Sequence, residues 1–209
     1  MITTIKQILI GLFLLTSACS SCQTKGGGPI ANTALDPEKV LIVYLSRTNN
    51  TKAIAEIIHE NVGGTLVALE LQTPYPENYK AIVDQVANEN VSGFLPPLKT
   101  KIQNIEKFDV VFVGFPTWGM QLPPPMKSFL SQYDLSGKTV VPFNTNAGYG
   151  IGSTFDTVKE LCPKSKILKG FSIEGGVERD GILFVMEGEK EIRAGEEVNQ
   201  WLQKINLIK

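Results

Sequence analysis

From residue 40 to the C-terminus, short apolar runs alternate with segments in which apolar side chains recur every three or four positions. Val40-Leu41-Ile42-Val43-Tyr44-Leu45 is uninterrupted apolar sequence, as a strand covered on both faces requires. Ile54, Ile57 and Ile58 then share one face of a helix. The pattern continues with a second strand over residues 65–71, a helix carrying Tyr79, Ile82, Val83 and Val86, a proline-containing connection over 91–107, and a third strand over 110–115. Met126, Phe129, Leu130 and Tyr133 mark a third helix, residues 139–143 a fourth strand, Phe155, Val158 and Cys162 a fourth helix, and residues 167–173 a fifth strand. The last helix carries Ile192, Val198, Trp201, Leu202 and Ile205. Residues 175–188 are ambiguous, with Ile182-Leu183-Phe184-Val185 apolar enough for a short extra strand. Such alternation builds a parallel sheet with helices on both faces, a single α/β domain without internal repeats.

The first residues follow another logic. Lys6 precedes Ile8-Leu9-Ile10-Gly11-Leu12-Phe13-Leu14-Leu15, and the small residues Ser17-Ala18 stand before Cys19. This apolar run is shorter than the roughly 20 residues that a membrane-spanning helix needs. A basic start, a short apolar run and a small-residue exit are the parts of a cleaved export signal, here residues 1–18. Cys19 after Thr16-Ser17-Ala18 resembles the lipobox of bacterial lipoproteins, although Thr16 replaces the usual leucine and Cys22 is a nearby competitor. The resemblance implies a diacylated Cys19 and an exported chain, lipid-anchored at the extracytoplasmic face of a bacterial membrane; two acyl chains anchor stably where one binds marginally. Residues 19–39, polar and glycine-rich around Gly26-Gly27-Gly28-Pro29, read as a flexible tether to a folded domain over residues 40–209.

In open parallel sheets, ligands bind beyond the carboxyl ends of the strands, where connections leave for opposite faces. The loops after strands one, three and four are therefore the candidates. Ser46-Arg47-Thr48-Asn49-Asn50-Thr51 opens the first helix. Its hydroxyl and amide side chains, with the free N–H groups of a helix start, suit a phosphate; helix capping is the plainer use of the same residues. Neither G-x-x-x-x-G-K-[ST] nor G-x-G-x-x-G is present, which argues against a P-loop nucleotidase and a dinucleotide fingerprint. After strand three, Pro116-Thr117-Trp118-Gly119-Met120 offers in Trp118 a large flat surface with one polar edge, or else a plug for the sheet edge. After strand four, Asn144-Thr145-Asn146-Ala147-Gly148-Tyr149-Gly150 combines polar side chains with glycines that permit close backbone approach.

Three such loops in this order resemble the flavodoxin family. Ser46, Thr48 and Thr51 match the hydroxyl positions of its phosphate loop, [TS]-x-T-G-x-T, with Asn49 in the glycine position, where left-handed backbone is better tolerated by Asn than by most residues. Gly114, Pro116, Trp118 and Gly119 fit the G-x-P-x-W-x-G-like or P-x-W-G stretch, followed by prolines and a helix, of similar bacterial proteins. The resemblance implies a three-layer, doubly wound flavodoxin-like fold with a five-stranded parallel sheet in the order 2-1-3-4-5, an arrangement of which flavodoxins are themselves a known instance. It also implies noncovalent FMN. The first loop would hold its phosphate, Pro116, Thr117, Trp118 and Gly119 would flank its ring, and Asn144, Thr145, Asn146, Gly148, Tyr149 and Gly150 would meet the pyrimidine edge and the other ring face. Gly119 would be the flexible peptide that responds to reduction at flavin N5.

Charge and rarer residues narrow the function. A formal net charge of −1 offers no basic excess for nucleic acid, and loss of residues 1–18 removes only Lys6, giving −2. Long-range steering of partners is therefore weak, a deficit that a membrane tether would offset by raising local concentration near membrane-bound redox proteins. The lone histidine, His59, reads as a surface residue, and without a second histidine or a cysteine cluster no metal site is expected. Cys162 reads as a small buried hydrophobe, and Cys19-Ser20-Ser21-Cys22 belongs to the signal context rather than to redox or zinc chemistry. No nucleophile and base pair can be named, so no catalytic residue is assigned. These features point to a membrane-tethered electron carrier, exchanging electrons with a redox protein or a membrane-bound donor and acceptor. An NAD(P)H-dependent quinone or flavin reductase is the alternative, since folds of this kind host both, and a nonredox ligand-binding domain is a third.

Overall fold

The computed structural model describes residues 35–209. In chain order it contains β1 (Val40–Tyr44), α1 (Asn50–Val62), β2 (Thr65–Ala68), α2 (Tyr79–Ser92), β3 (Val110–Pro116), α3 (Pro124–Gln132), β4 (Thr139–Asn146), α4 (Thr154–Leu161), β5 (Lys166–Ile167), β6 (Phe171–Glu174) and α5 (Glu189–Lys204). Every strand pair is parallel and the order is β2-β1-β3-β4-β5, with β6 also on β4. This is the doubly wound sheet expected from the sequence. The chain leaves β1 for β2 on one side and returns to β3 on the other, so the switch of direction lies between β1 and β3.

The central strands are buried along almost their whole length, which is why they read as continuous apolar runs. Alternate side chains enter two cores. Val40, Ile42, Tyr44 and Phe112 pack with Ile54 and Ile58 of α1 and with Val198 and Leu202 of α5. Leu41, Val43, Val111 and Val113 pack with Met126 and Phe129 of α3 and Val158 of α4. The three layers are thus α1 and α5, the sheet, and α3 and α4.

Helix α2 belongs to neither layer. Ile82 and Val86 are buried, yet no α2 side chain joins either core among the described residues. The helix sits at the end of an excursion whose two legs pair at Leu71 and Leu98, reinforced by Gln72 N–H to Pro97 O (3.0 Å) and Lys99 N–H to Glu70 O (2.8 Å). Those pairings end β2 after Ala68, three residues before the expected limit.

Other differences from expectation have local causes. The fifth strand is broken at residues 168–170, where it gains one residue relative to β4: Val140 faces Ile167, but Phe143 faces Phe171. Alternate residues of β4 bond this neighbour, with Leu168 N–H donating to Val140 O (3.0 Å), so the next donor would come from Pro142, which has none. Within the break, the Lys169 carbonyl accepts from the Trp201 indole N–H at 2.8 Å. Conversely β4 runs on past its expected end at Phe143 through Asn144, Thr145 and Asn146, because β6 pairs with them. Ile182-Leu183-Phe184-Val185 is not a strand. Ile192, expected on the apolar face of the last helix, is 65% exposed.

The expected tether ends sooner than Lys39, since Leu35 packs on the α1 and α5 core and Pro37–Lys39 form a 3₁₀ turn capped by Asp36. The export signal, Cys19, Cys22 and residues 19–34 of the tether lie outside the described residues. Among the described residues no helix is long and apolar enough to cross a membrane. Cys162 is buried, as expected, and burial pushes its thiol up to about 11. His59 is half-buried, and its Nε2 pairs with Gly64 O at the end of α1 (3.1 Å).

Candidate functional site

A cleft of about 660 Å³ opens beyond the carboxyl ends of β1, β3 and β4. Its size is that of a small-molecule site. Arg47, Thr48, Asn50 and Thr51 line it from the first loop, while Ser46 and Asn49 do not. Asn49 adopts the left-handed conformation expected of it, with φ 64°. The Ser46 hydroxyl accepts from Lys52 N–H at 3.2 Å, which caps α1 and satisfies one of its early amides. Above it, the N–H groups of Thr48, Asn49, Asn50 and Thr51 have no hydrogen-bond partner among the described residues. Four unpaired amides at a helix start form a cradle for an anionic oxygen cluster.

The side chains of this loop are otherwise engaged. Thr51 Oγ1 lies 2.8 Å from Thr145 Oγ1, tying the first loop to β4. The Asn50 amide acts as a piece of strand: its Nδ2 donates to Leu183 O (2.6 Å) and to Thr48 Oγ1 (2.8 Å), while its Oδ1 accepts from Val185 N–H (3.1 Å). That contact fastens residues 183–185 to the start of α1. The Arg47 guanidinium pairs with Glu178 Oε1 (2.7 Å) and donates to the carbonyls of Pro76 (3.0 Å) and Glu77 (2.5 Å). Arg47 therefore ties three segments together at the rim rather than presenting a free cation.

Pro116, Thr117, Trp118 and Gly119 all line the cleft. Trp118 and Gln121 exchange both backbone hydrogen bonds (3.2 and 3.0 Å) around Gly119 and Met120, each with positive φ. A two-residue turn with positive φ at both central positions is the type I′ hairpin, for which glycine is suited and methionine is strained. Gly152 carries this turn on the third loop: a Cβ there would stand 2.0 Å from Met120 O, and Ser153 N–H donates to that oxygen at 3.0 Å. The half-buried Trp118 indole meets Tyr75 edge-on, with centroids 5.6 Å apart. Tyr75 in turn donates to the buried carboxylate of Glu89 on α2, whose other oxygen accepts from Gln85 at 2.8 Å. Burial first, and then Glu89, hold the Tyr75 phenol well above its ordinary range.

From the third loop, Thr145, Asn146, Tyr149 and Gly150 line the cleft, and Asn144 and Gly148 do not. Asn144 is a brace beneath it: fully buried in β4, it donates to Phe115 O (3.1 Å) and Thr117 Oγ1 (3.0 Å) and accepts from Ser172 (3.1 Å). Asn146 shapes the glycine turn, its Oδ1 accepting from Gly148 N–H (2.9 Å) and Gly150 N–H (3.1 Å). Tyr149 is 63% exposed at the rim beside Arg179. The Asp180 carboxylate, then the Tyr149 hydroxyl, raise the Arg179 guanidinium above its ordinary value.

Two parts of the wall escaped the sequence reading. Gly175 and Gly176 follow the fifth strand at its carboxyl end, so the strand-end rule could have marked them. A Cβ on Gly176 would stand 2.3 Å from Leu183 O, so that position needs glycine. The other part is α2, whose periodicity looks like that of any core helix. Among the described residues no group of three or more His, Cys, Asp or Glu side chains could hold a metal.

The cleft has an amide cradle at a helix start, a half-exposed indole and a polar glycine turn, all at the sheet's switch point. Solved structures share the fold. One described as a candidate flavoprotein from Bacteroides eggerthii DSM 20697 is 28% identical, with a TM-score of 0.63 over 80% of this chain and 97% of that one. A similar one from Bacteroides uniformis ATCC 8492 is 24% identical, with a TM-score of 0.64 over 80% and 99%. A flavoprotein in complex with FMN from Lactobacillus acidophilus NCFM is 20% identical, with a TM-score of 0.58 over 69% and 98%. No curated protein matches the chain in sequence. A sequence profile described as flavodoxin matches residues 39–187, the whole of the sheet and its cleft, and on that match the chain belongs to the flavodoxin family.

Proposed function

We propose that the cleft binds FMN noncovalently and that the protein transfers electrons while lipid-anchored through Cys19 at the extracytoplasmic face of a bacterial membrane. The observation that carries the cofactor is the amide cradle of Thr48, Asn49, Asn50 and Thr51 at the start of α1, three of whose residues, Thr48, Asn50 and Thr51, line one cleft with the Trp118 indole. A phosphomonoester suits the cradle because neutral N–H donors and the helix dipole favour an anion. Trp118 supplies a flat apolar surface for an aromatic ring system, and Asn146 and Gly150 offer polar and backbone groups beside it. The FMN held by a solved relative of the same fold supports this reading.

Bound FMN would supply one- and two-electron chemistry. This chain's residues then have positioning duties. Arg47 and Glu178 fix the rim, Asn144 and Thr51 lock the three loops in register, and Gly119, with open space around it, is the peptide free to reorient. No described side chain is needed as acid or base. The tether is supported by the Lys6 to Cys19 pattern.

The test is direct. Purified protein should be yellow, release FMN on denaturation and rebind it one to one. Trp118→Ala should weaken FMN by about tenfold or more, the order of a stacked aromatic contact of roughly 1.5 kcal/mol. A colourless protein that fails to take up added FMN would leave a nonredox ligand site instead. Titration with NADPH separates carrier from reductase, since rapid direct flavin reduction would establish the latter.

A further inference from the structure

Resting on the FMN reading above, we propose that Tyr75 is a positioning residue for the cofactor ring, acting through Trp118 and held in turn by Glu89. Neither Tyr75 nor Glu89 lines the cleft, so neither belongs to the wall that would meet the cofactor. What they fix is the orientation of an indole that does.

Trp118 needs a partner of this kind. Its backbone is set by the two hydrogen bonds with Gln121, yet its indole N–H has no hydrogen-bond partner among the described residues. The ring packs on the α3 and α4 core, but apolar packing is non-directional and does not by itself fix a ring plane. An edge-on aromatic contact is directional. Tyr75 supplies it, with the two planes at 82°.

Tyr75 is itself held from several sides. Pro74 and Pro76 flank it in the chain; each has a fixed φ, and a following proline restricts the residue before it. Arg47 donates to the carbonyls of Pro76 and Glu77, which ties this stretch to the first loop. The phenol donates to Glu89 on α2. Glu89 is 6% exposed and forms no ion pair among the described residues, its carboxylate accepting from Tyr75 and Gln85. A carboxylate buried without a cation is costly, and an apolar pair of similar shape would attach α2 at least as well. The acid adds a strong acceptor at one point, which fixes where the phenol tip, and with it the ring, must lie.

The experiment is a double-mutant cycle on the FMN dissociation constant of the full-length protein, with Tyr75→Phe and Trp118→Ala. Tyr75→Phe keeps the ring and removes the hydroxyl. It should weaken FMN about fivefold where Trp118 is present and less than about twofold where Trp118→Ala is already in place. A second readout needs no cofactor. The chain has two tryptophans, and Trp201 lies in the α1 and α5 core, so the emission lost in Trp118→Phe belongs to Trp118. In protein free of FMN, the anisotropy of that emission should fall in Tyr75→Phe and in Glu89→Leu, and be largely restored in Glu89→Gln, whose amide oxygen still accepts. Failure of the unmodified protein to load FMN would refute the cofactor reading and leave the anisotropy test of Tyr75 standing. With FMN bound, equal effects of Tyr75→Phe in the two backgrounds, whether a loss or none, would overturn the proposal and reduce Tyr75 to an anchor for α2. Trp118 anisotropy indifferent to Tyr75→Phe would overturn it as well.

Discussion

At the scale of single residues, the site depends on positions that touch no ligand. Gly114 on β3 lies under the Phe143 ring of β4, and a Cβ there would stand 2.0 Å from it. Gly114→Ala should therefore destabilise the fold by about 1–3 kcal/mol, the usual cost of overpacking, read as a lower midpoint in urea with unchanged slope; an unaltered midpoint would refute the contact. Cys162 gives a test in pH. Its folded value of about 11 lies above the ordinary 9.0, so between these the folded chain keeps a proton that the unfolded chain has released. Stability contributed by the buried neutral thiol is complete below pH 9 and falls as pH rises towards 11. Peptide-resolved alkylation at pH 8 should leave Cys162 unmodified in native protein and label it in guanidinium. Some of this was legible beforehand: an apolar helical setting marks Cys162 as buried, and Asn49 suits a left-handed turn. The duties of Arg47 and Asn144 were not, because their partners lie 131 and up to 29 residues away along the chain.

At the scale of elements, α2 behaves differently from the four helices that clothe the sheet. Its attachment rests on few contacts, chiefly Tyr75 with Glu89 and Lys127 with Asn90. Tyr75→Phe leaves the buried Glu89 carboxylate short of a donor, a loss of about 1–3 kcal/mol. Because α2 stands outside both cores, that loss should appear as faster hydrogen exchange in α2 with little change in α1 or α5; uniform acceleration across all helices would show that α2 unfolds only with the whole. The broken fifth strand shows the same dependence on neighbours. Its apolar run reads as continuous, yet Pro142 on the adjacent strand withholds the donor that would have carried the pairing through.

At the scale of the molecule, a near-neutral domain gains little from long-range electrostatic steering, so anchoring would set its access to partners. Cys19→Ser should move the protein from the membrane fraction to the soluble one, while Cys22→Ser leaves it in place; a Cys19→Ser protein that still sediments with membranes would refute the lipid anchor. Apolar periodicity by itself determined the number and kind of the main elements, because strands buried on both faces and helices buried on one leave different repeats in the chain. It also located the three loops at strand ends, whose donors are local in sequence. Only the tertiary structure decided what each apolar face covers. The stripe from Tyr79 to Val91 has the same period whether it lies on a sheet or beside a cleft, and the pairing of residues 70–72 with 97–100 lifts it to the latter. Periodicity records that a surface avoids water, while the surface it meets is chosen by contacts distant along the chain.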